Sequence, residues 1–206
     1  MDELELLKQD WKKQEAVLPR LSYEEIYQMI LKKSSSIVKW IFIISILEFI
    51  VWASLDLIFR LTGLNSKIMN SSIEIFSFIG SLLSYTILLY FIIRFYINYK
   101  KIKTTDSTKV LMENILNTRK TVKNYIWVNL SFFGVLMIST TIYLLFFTNE
   151  FQGDTIEYTP IWIVIVSTLL VTIVFIGVIA LFYRLIYGIL TRKLKKNYKE
   201  LERLEL

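Results

Sequence analysis

Residues 40–59 read WIFIISILEFIVWASLDLIF, and the interpretation of these letters decides the fold. About 20 helical residues, rising about 1.5 Å each, cross a hydrocarbon layer of about 30 Å. The stretch has that length, but Glu48 and Asp56 interrupt it. A carboxylate near the centre of a span costs roughly 2.5–3.5 kcal/mol, whereas each Leu, Ile, Phe or Val contributes roughly 0.3–0.6 kcal/mol in favour of insertion. Thirteen of its 20 residues are of those four types, so together they supply about 6 kcal/mol. That exceeds the Glu48 penalty, and Asp56 lies near enough to the far end for its carboxylate to reach headgroups. The stretch is therefore read as a true span. A cleaved signal peptide is a poor account of it, because residues 1–36 are largely polar, no small-x-small site follows and further apolar stretches come later.

Three other stretches pass the same test without a single charge: Ile75–Ile93, Asn124–Asn149 and Tyr158–Tyr183. Composition agrees, since 54% of the 206 residues are hydrophobic and only 20% charged, too apolar a balance for a soluble globule. The chain holds 0 His and 0 Cys. Disulfides, iron–sulfur clusters, Cys or His zinc sites and histidine-ligated haem are thereby excluded, as is catalysis by a thiolate, a Ser/His/Asp triad or a histidine base. No cofactor and no metal are expected.

Lys and Arg fix the expected orientation. Residues 1–39 hold seven, 60–74 two, 94–123 eight, 149–160 none and 184–206 seven, so 22 of 24 fall on one side. By the positive-inside rule both termini and the central loop face the cytoplasm. Aromatic side chains suited to interfaces flank the spans, with Trp40, Tyr125, Trp127, Tyr183 and Tyr187 near the inner boundary and Tyr158 and Trp162 near the outer. The expected fold is an all-α integral membrane four-helix bundle of two hairpins with cytoplasmic amphipathic helices. Its parts are N-terminal helices (1–36), a first hairpin (37–99), a basic linker helix (100–123), a second hairpin (124–190) and a basic tail (191–206). QMILKKSSSIVK (28–39) overlays ENILNTRKTVKN (113–124), and YFIIRF around Arg94 overlays LFYRLI around Arg184. Duplication of a hairpin and chance in an Ile-, Lys- and Asn-rich chain account for this equally well.

Ahead of the first span, Leu4, Leu7 and Trp11 share one helical face, which makes residues 3–16 amphipathic. After Pro19, the run LSYEEI (21–26) carries a capping box, with Ser22 at the N-cap and Glu25 at N3, and Leu21 is placed to staple onto Ile26. The helix that starts there has an apolar stripe of Ile26, Met29, Ile30, the Lys33 stem and Ile37. Ser34, Ser35 and Ser36 either continue it into the span or mark a joint. Asp106 or Ser107 similarly caps a helix with Val110, Leu111, Ile115 and Leu116 on its apolar face.

LKQDWKKQE (7–15), LSYEEIYQMI (21–30) and KKSSSIVKWIF (32–42) resemble a family of uncharacterised four-span bacterial inner-membrane proteins. The resemblance is sharp over about the first 45 residues and only hydropathic beyond. Members of that family often carry an automatic label of carotenoid-cleaving oxygenase, an activity that in authentic enzymes uses iron held by four histidines on a soluble propeller. A chain with 0 His cannot supply that set. The resemblance therefore implies the topology and not the activity.

Glu48 leads the candidate residues, because an ionisable group inside a membrane usually faces a bundle interior or a cavity. Counting inward from the span ends puts Ser84, Tyr85, Gly134 and Thr172 at its level, so Ser84 or Tyr85 is its expected partner. Asp56 belongs to the same intramembrane polar set, as does Asn129, expected to bond across helices. Gly80, Gly134, Gly177 and Gly188 suit close helix packing. Arg94, Lys100, Lys101, Arg184, Arg192 and Lys193 are expected to meet anionic lipid or a specific anion at the inner face. Nucleic acid is not an expected partner, since Tyr99 and Tyr198 are too few aromatics for a stacking surface. These features fit a non-enzymatic regulatory, sensing or scaffold protein that binds a cytoplasmic partner or another copy of itself through Leu4, Leu7 and Trp11. The competing expectation is a small oligomeric transporter or channel subunit built around Glu48.

Overall fold

A computed structural model describes residues 22–62, 71–105, 107–147 and 160–205, together with Glu5 and Lys8. The described residues form an all-helical bundle of four long helices: α1 (Tyr23–Leu61), α2 (Ser71–Lys103), α3 (Thr108–Phe147) and α4 (Ile161–Glu205). They hold 39, 33, 40 and 45 residues, which at 1.5 Å per residue makes them about 50–68 Å long. Each is long and apolar enough to cross a membrane. Each also continues well past the about 30 Å that crossing requires.

α1 starts where the capping box places it. The Ser22 hydroxyl accepts from the Glu25 backbone N–H at 3.2 Å, and the Glu25 carboxylate accepts from the Ser22 N–H at 2.8 Å. These reciprocal bonds hold the Glu25 carboxyl below its usual range. The helix then runs through Ser34, Ser35 and Ser36 without a break, so the serines are not a joint. Ser34 is fully buried, and its hydroxyl accepts from Asn197 Nδ2 on α4 at 2.9 Å. α4 begins directly after Pro160, whose fixed φ and missing N–H suit a helix start.

Consecutive helices pack as neighbours, and α4 closes the ring against α1. The core is concentrated in the half of the bundle that carries the basic residues. There α1 buries Tyr27, Ile30, Val38 and Ile41, α2 Phe95 and Ile102, α3 Leu111, Ile115 and Val122, and α4 Tyr187, Leu194 and Leu201. The buried face of α1 is thus shifted from the expected stripe: Tyr27, Ser34, Val38 and Ser45 point inward, while Met29 is exposed. On α3, Leu111 and Ile115 are buried as expected but Val110 and Leu116 are exposed. On α1 the shift follows polar groups that find partners across helices: the Tyr27 hydroxyl donates to the Thr105 carbonyl at 2.9 Å, and Ser34 accepts from Asn197.

The other half of the bundle is packed differently. Large side chains such as Leu57, Leu82, Val171 and Phe182 stand exposed. Its hydroxyls turn back onto their own helices, as Thr86 does to Leu82, Thr140 to Leu136 and Thr141 to Met137, the same bond that Thr118 and Thr121 make in the basic half. That internal satisfaction is what a hydrocarbon surrounding demands of polar groups. Close approach occurs at two of the four glycines among the described residues: a Cβ at Gly80 would meet Leu136 at 3.2 Å, and one at Gly134 would meet Ile176 at 3.2 Å.

Candidate functional site

Glu48 lies on the inward face of α1, one turn past the buried Ser45. Its carboxylate is gripped by two side chains of α4. The Tyr183 hydroxyl donates to Oε1, and the Tyr187 hydroxyl donates to Oε2 at 3.1 Å. The two tyrosines stand one helical turn apart, so a single face of α4 presents both hydroxyls to one carboxyl group. Neither Ser84 nor Tyr85 is the partner, which corrects the expectation from counting. Tyr85 instead packs its ring against Phe49 at 5.7 Å and faces Asp56.

The reason lies in the register between helices. Ser34 pairs with Asn197 and Glu48 with Tyr183, so contacts 14 residues apart on α1 recur 14 residues apart on antiparallel α4. Tyr183, at the inner end of the fourth apolar stretch, is therefore level with Glu48, so Glu48 stands at the inner ends of the third and fourth stretches and not at mid-depth as counting along the first stretch implies, and Thr172 lies about three turns further out. Counting from the ends of apolar stretches assumes that four ends are flush. Interdigitation of side chains sets the register instead.

A cage of rings surrounds the carboxylate. The buried Tyr125 of α3 is its hub, with ring centroids 5.2–5.7 Å from Phe91, Phe95, Tyr183 and Tyr187. The angles between these rings are 66–77°, the edge-on arrangement that aromatic quadrupoles favour. The buried Tyr125 hydroxyl stands beside the Glu48 carboxylate, in a looser contact than the two tyrosines of α4 make. Three phenol groups thus converge on one acid, two as donors and the third poised. Asn129 sits one turn further along α3, where it donates to the Tyr125 carbonyl at 2.9 Å, within its own helix and not across helices. The signal in the sequence was the i, i+4 pair Tyr183 and Tyr187, which reads equally well as an interfacial belt.

The remaining candidates are dispersed. Asp56 accepts from Arg60 Nε at 3.2 Å. It shares with Trp52, Ser81, Ser84, Tyr85 and Phe133 a cavity of about 350 Å³ in the apolar half. Arg94 is exposed, its guanidinium 5.9 Å from the Tyr90 ring, in a cavity between α2 and α3 that also holds Asn124 and Trp127. Arg184 belongs to a different cavity, between α3 and α4, so the two arginines do not share a ligand site. Lys100, Lys101, Arg192 and Lys193 are exposed. Leu4, Leu7, Trp11 and Asp106 lie outside the described residues; Glu5 and Lys8, between the first three, are helical and exposed.

A family model described as Domain of unknown function (DUF8845) matches residues 24–206, nearly all of the chain and the whole of the bundle. The chain belongs to the DUF8845 family. No curated protein and no solved structure matches it. The family match begins inside the first turn of α1, so the Glu48 cage and the serine–asparagine latch both fall within the DUF8845 unit.

Proposed function

We propose that this protein is a non-enzymatic component of the bacterial inner membrane, anchored by four spans with both termini in the cytoplasm. In this reading it acts as a regulatory, sensing or scaffold element. Its N-terminal helices bind a cytoplasmic partner or a second copy of the chain through Leu4, Leu7 and Trp11. The observation that carries the reading is the continuity of the helices: each runs unbroken from the exposed apolar half into the half with the sealed core. A stem built in that way is mechanically part of the spans, and an element joined to the Ser22 cap would ride on it. The distribution of 22 of 24 basic residues supports the orientation.

The test compares the full chain with a Leu7→Ser, Trp11→Ser variant, both inserted in membranes. The parent is expected to cross-link to itself or to retain a soluble protein, and the variant to lose that contact while inserting normally. Retention of every contact by the variant overturns the reading.

One observation favours a second reading, a transporter or channel subunit organised on Glu48. Three phenol hydroxyls, those of Tyr125, Tyr183 and Tyr187, converge on this one carboxyl group, an ionisable cluster of the kind that lines proton and cation paths. Flux into proteoliposomes that disappears in Glu48→Gln supports it; equal flux in parent and variant removes it.

A further inference from the structure

A cavity of about 360 Å³ opens between α3 and α4, and its lining includes Arg119, Lys123 and Arg184 with no acidic side chain among them. Among the described residues none of these three cations takes part in an ion pair. Arg119 Nε is moreover buried and meets no acceptor. A buried donor left unpaired is costly, and the exposed Lys123 and Arg184 add positive charge to the same lining, so an anion in this cavity would meet both a donor and a favourable field.

The lining is also graded along the helices. Moving along α3 the residues pass from Arg119 through Lys123 to Ile126, and across from them α4 passes from Gly188 through Arg184 to Ala180. Lys123 immediately precedes the third apolar stretch and Arg184 immediately follows the fourth. Cationic groups therefore meet apolar ones at the depth where phospholipid phosphates meet glycerol and acyl chains. Guanidinium forks match phosphate oxygens in a way that an ammonium-bearing headgroup would oppose, because a second cation would enter a cavity already holding three.

We infer that this cavity is a site for the phosphate of an anionic phospholipid, with Arg119 and Arg184 as the forked donors, Lys123 as a point charge, and Ile126 and Ala180 against the lipid's apolar part. The site requires only that the helices span a bilayer and is independent of any partner of the N-terminal helices. Gly188 lines the same cavity, and a Cβ there would make only an ordinary contact with Arg184 Cγ at 3.7 Å, so a larger side chain is admitted at that position and extends into the lining.

The test extracts the full-length protein from vesicles of phosphatidylcholine with phosphatidylglycerol and counts retained lipids by native mass spectrometry. The parent is expected to retain phosphatidylglycerol over phosphatidylcholine. Arg119→Gln with Arg184→Gln is expected to lower that retention by about tenfold or more. Gly188→Leu, which keeps every charge, should lower it too, and Lys199→Gln, at an exposed position of the tail outside every proposed lipid contact, should not. Circular dichroism of each variant separates loss of the site from loss of the fold, and Gly188→Leu answers the question if the double variant does not fold. Equal retention by parent, double variant and Gly188→Leu overturns the site. A retained lipid that millimolar inorganic phosphate displaces from the parent overturns the lipid as occupant and assigns the cavity to free phosphate.

Discussion

The two ends of the bundle solve opposite problems with the same four helices. In the basic half, fully buried Ile102, Leu111, Ile115, Leu194 and Leu201 form a sealed core under a charged surface. In the apolar half, Leu57, Val171, Ile173 and Phe182 are more than half exposed, while bonds across helices such as Tyr27 to Thr105, Asn98 to Thr121 and Asn197 to Ser34 lie in the basic half. Water drives apolar groups together, whereas lipid does not, so burial matters in the first half and polar satisfaction in the second. Where the halves meet, the bundle needs both. There Glu48, with its tyrosines, sits inside a cage of rings.

The largest expected effect breaks the contrast on one helix. Leu194→Ala, at a fully buried position, should cost about 2–5 kcal/mol in reversible unfolding of the reconstituted chain. Leu185→Ala, at an exposed position of the same helix, should cost less than about 0.5 kcal/mol in the same assay. Similar losses at the two positions would show that the apolar half packs like the stem.

Next is the junction. Glu48→Ala strands the Tyr183 and Tyr187 hydroxyls, at an expected cost of roughly 2–4 kcal/mol. Glu48→Gln keeps an acceptor and should lose less than half of that. Tyr125→Phe removes a hydroxyl held more loosely beside Glu48 than those of Tyr183 and Tyr187, so unfolding should change by less than about 1 kcal/mol, in either direction. A large loss in Tyr125→Phe means that the hydroxyl is a third donor to Glu48, equal to those of Tyr183 and Tyr187.

A smaller effect is expected at the latch. Asn197→Leu leaves the Ser34 hydroxyl buried without its donor and should cost about 1–2 kcal/mol, read as earlier separation of α1 from α4 by hydrogen exchange.

The smallest effect is at the exposed cap. Since Glu25 has its carboxyl held below the usual value of 4.5, its contribution is complete above that value and is lost as pH falls through the lowered one. Glu25→Gln, which caps without ionising, should flatten that acid-side dependence in amide exchange of the first α1 turn, while leaving behaviour near neutrality unchanged.

Much of this architecture was legible in the letters alone, and the reason differs by feature. The four apolar stretches could be read because length and hydropathy are properties of one segment at a time. The Ser22 and Glu25 cap was readable because it is closed within four residues. Glu48 was identifiable as costly, but its partners were not, because they depend on how far α4 slides past α1. Tyr183 and Tyr187 sit where an interfacial belt would also sit, and only the packed register turns them inward. Arg119 went unnoticed for a related reason: one arginine in a basic loop has no distinguishing mark until α4 is laid against it.

The ring closure between α1 and α4 has a consequence for how the protein is made. Tyr183 is 135 residues downstream of Glu48, so at about 5–20 residues per second a ribosome needs roughly 7–27 s to deliver it after the acid has been translated. Throughout that interval the first hairpin must hold a carboxyl group whose hydroxyl donors do not yet exist. Nascent chains paused before residue 183 should therefore be the stage most exposed to the cell's membrane quality control, and slowing translation should lengthen that exposure.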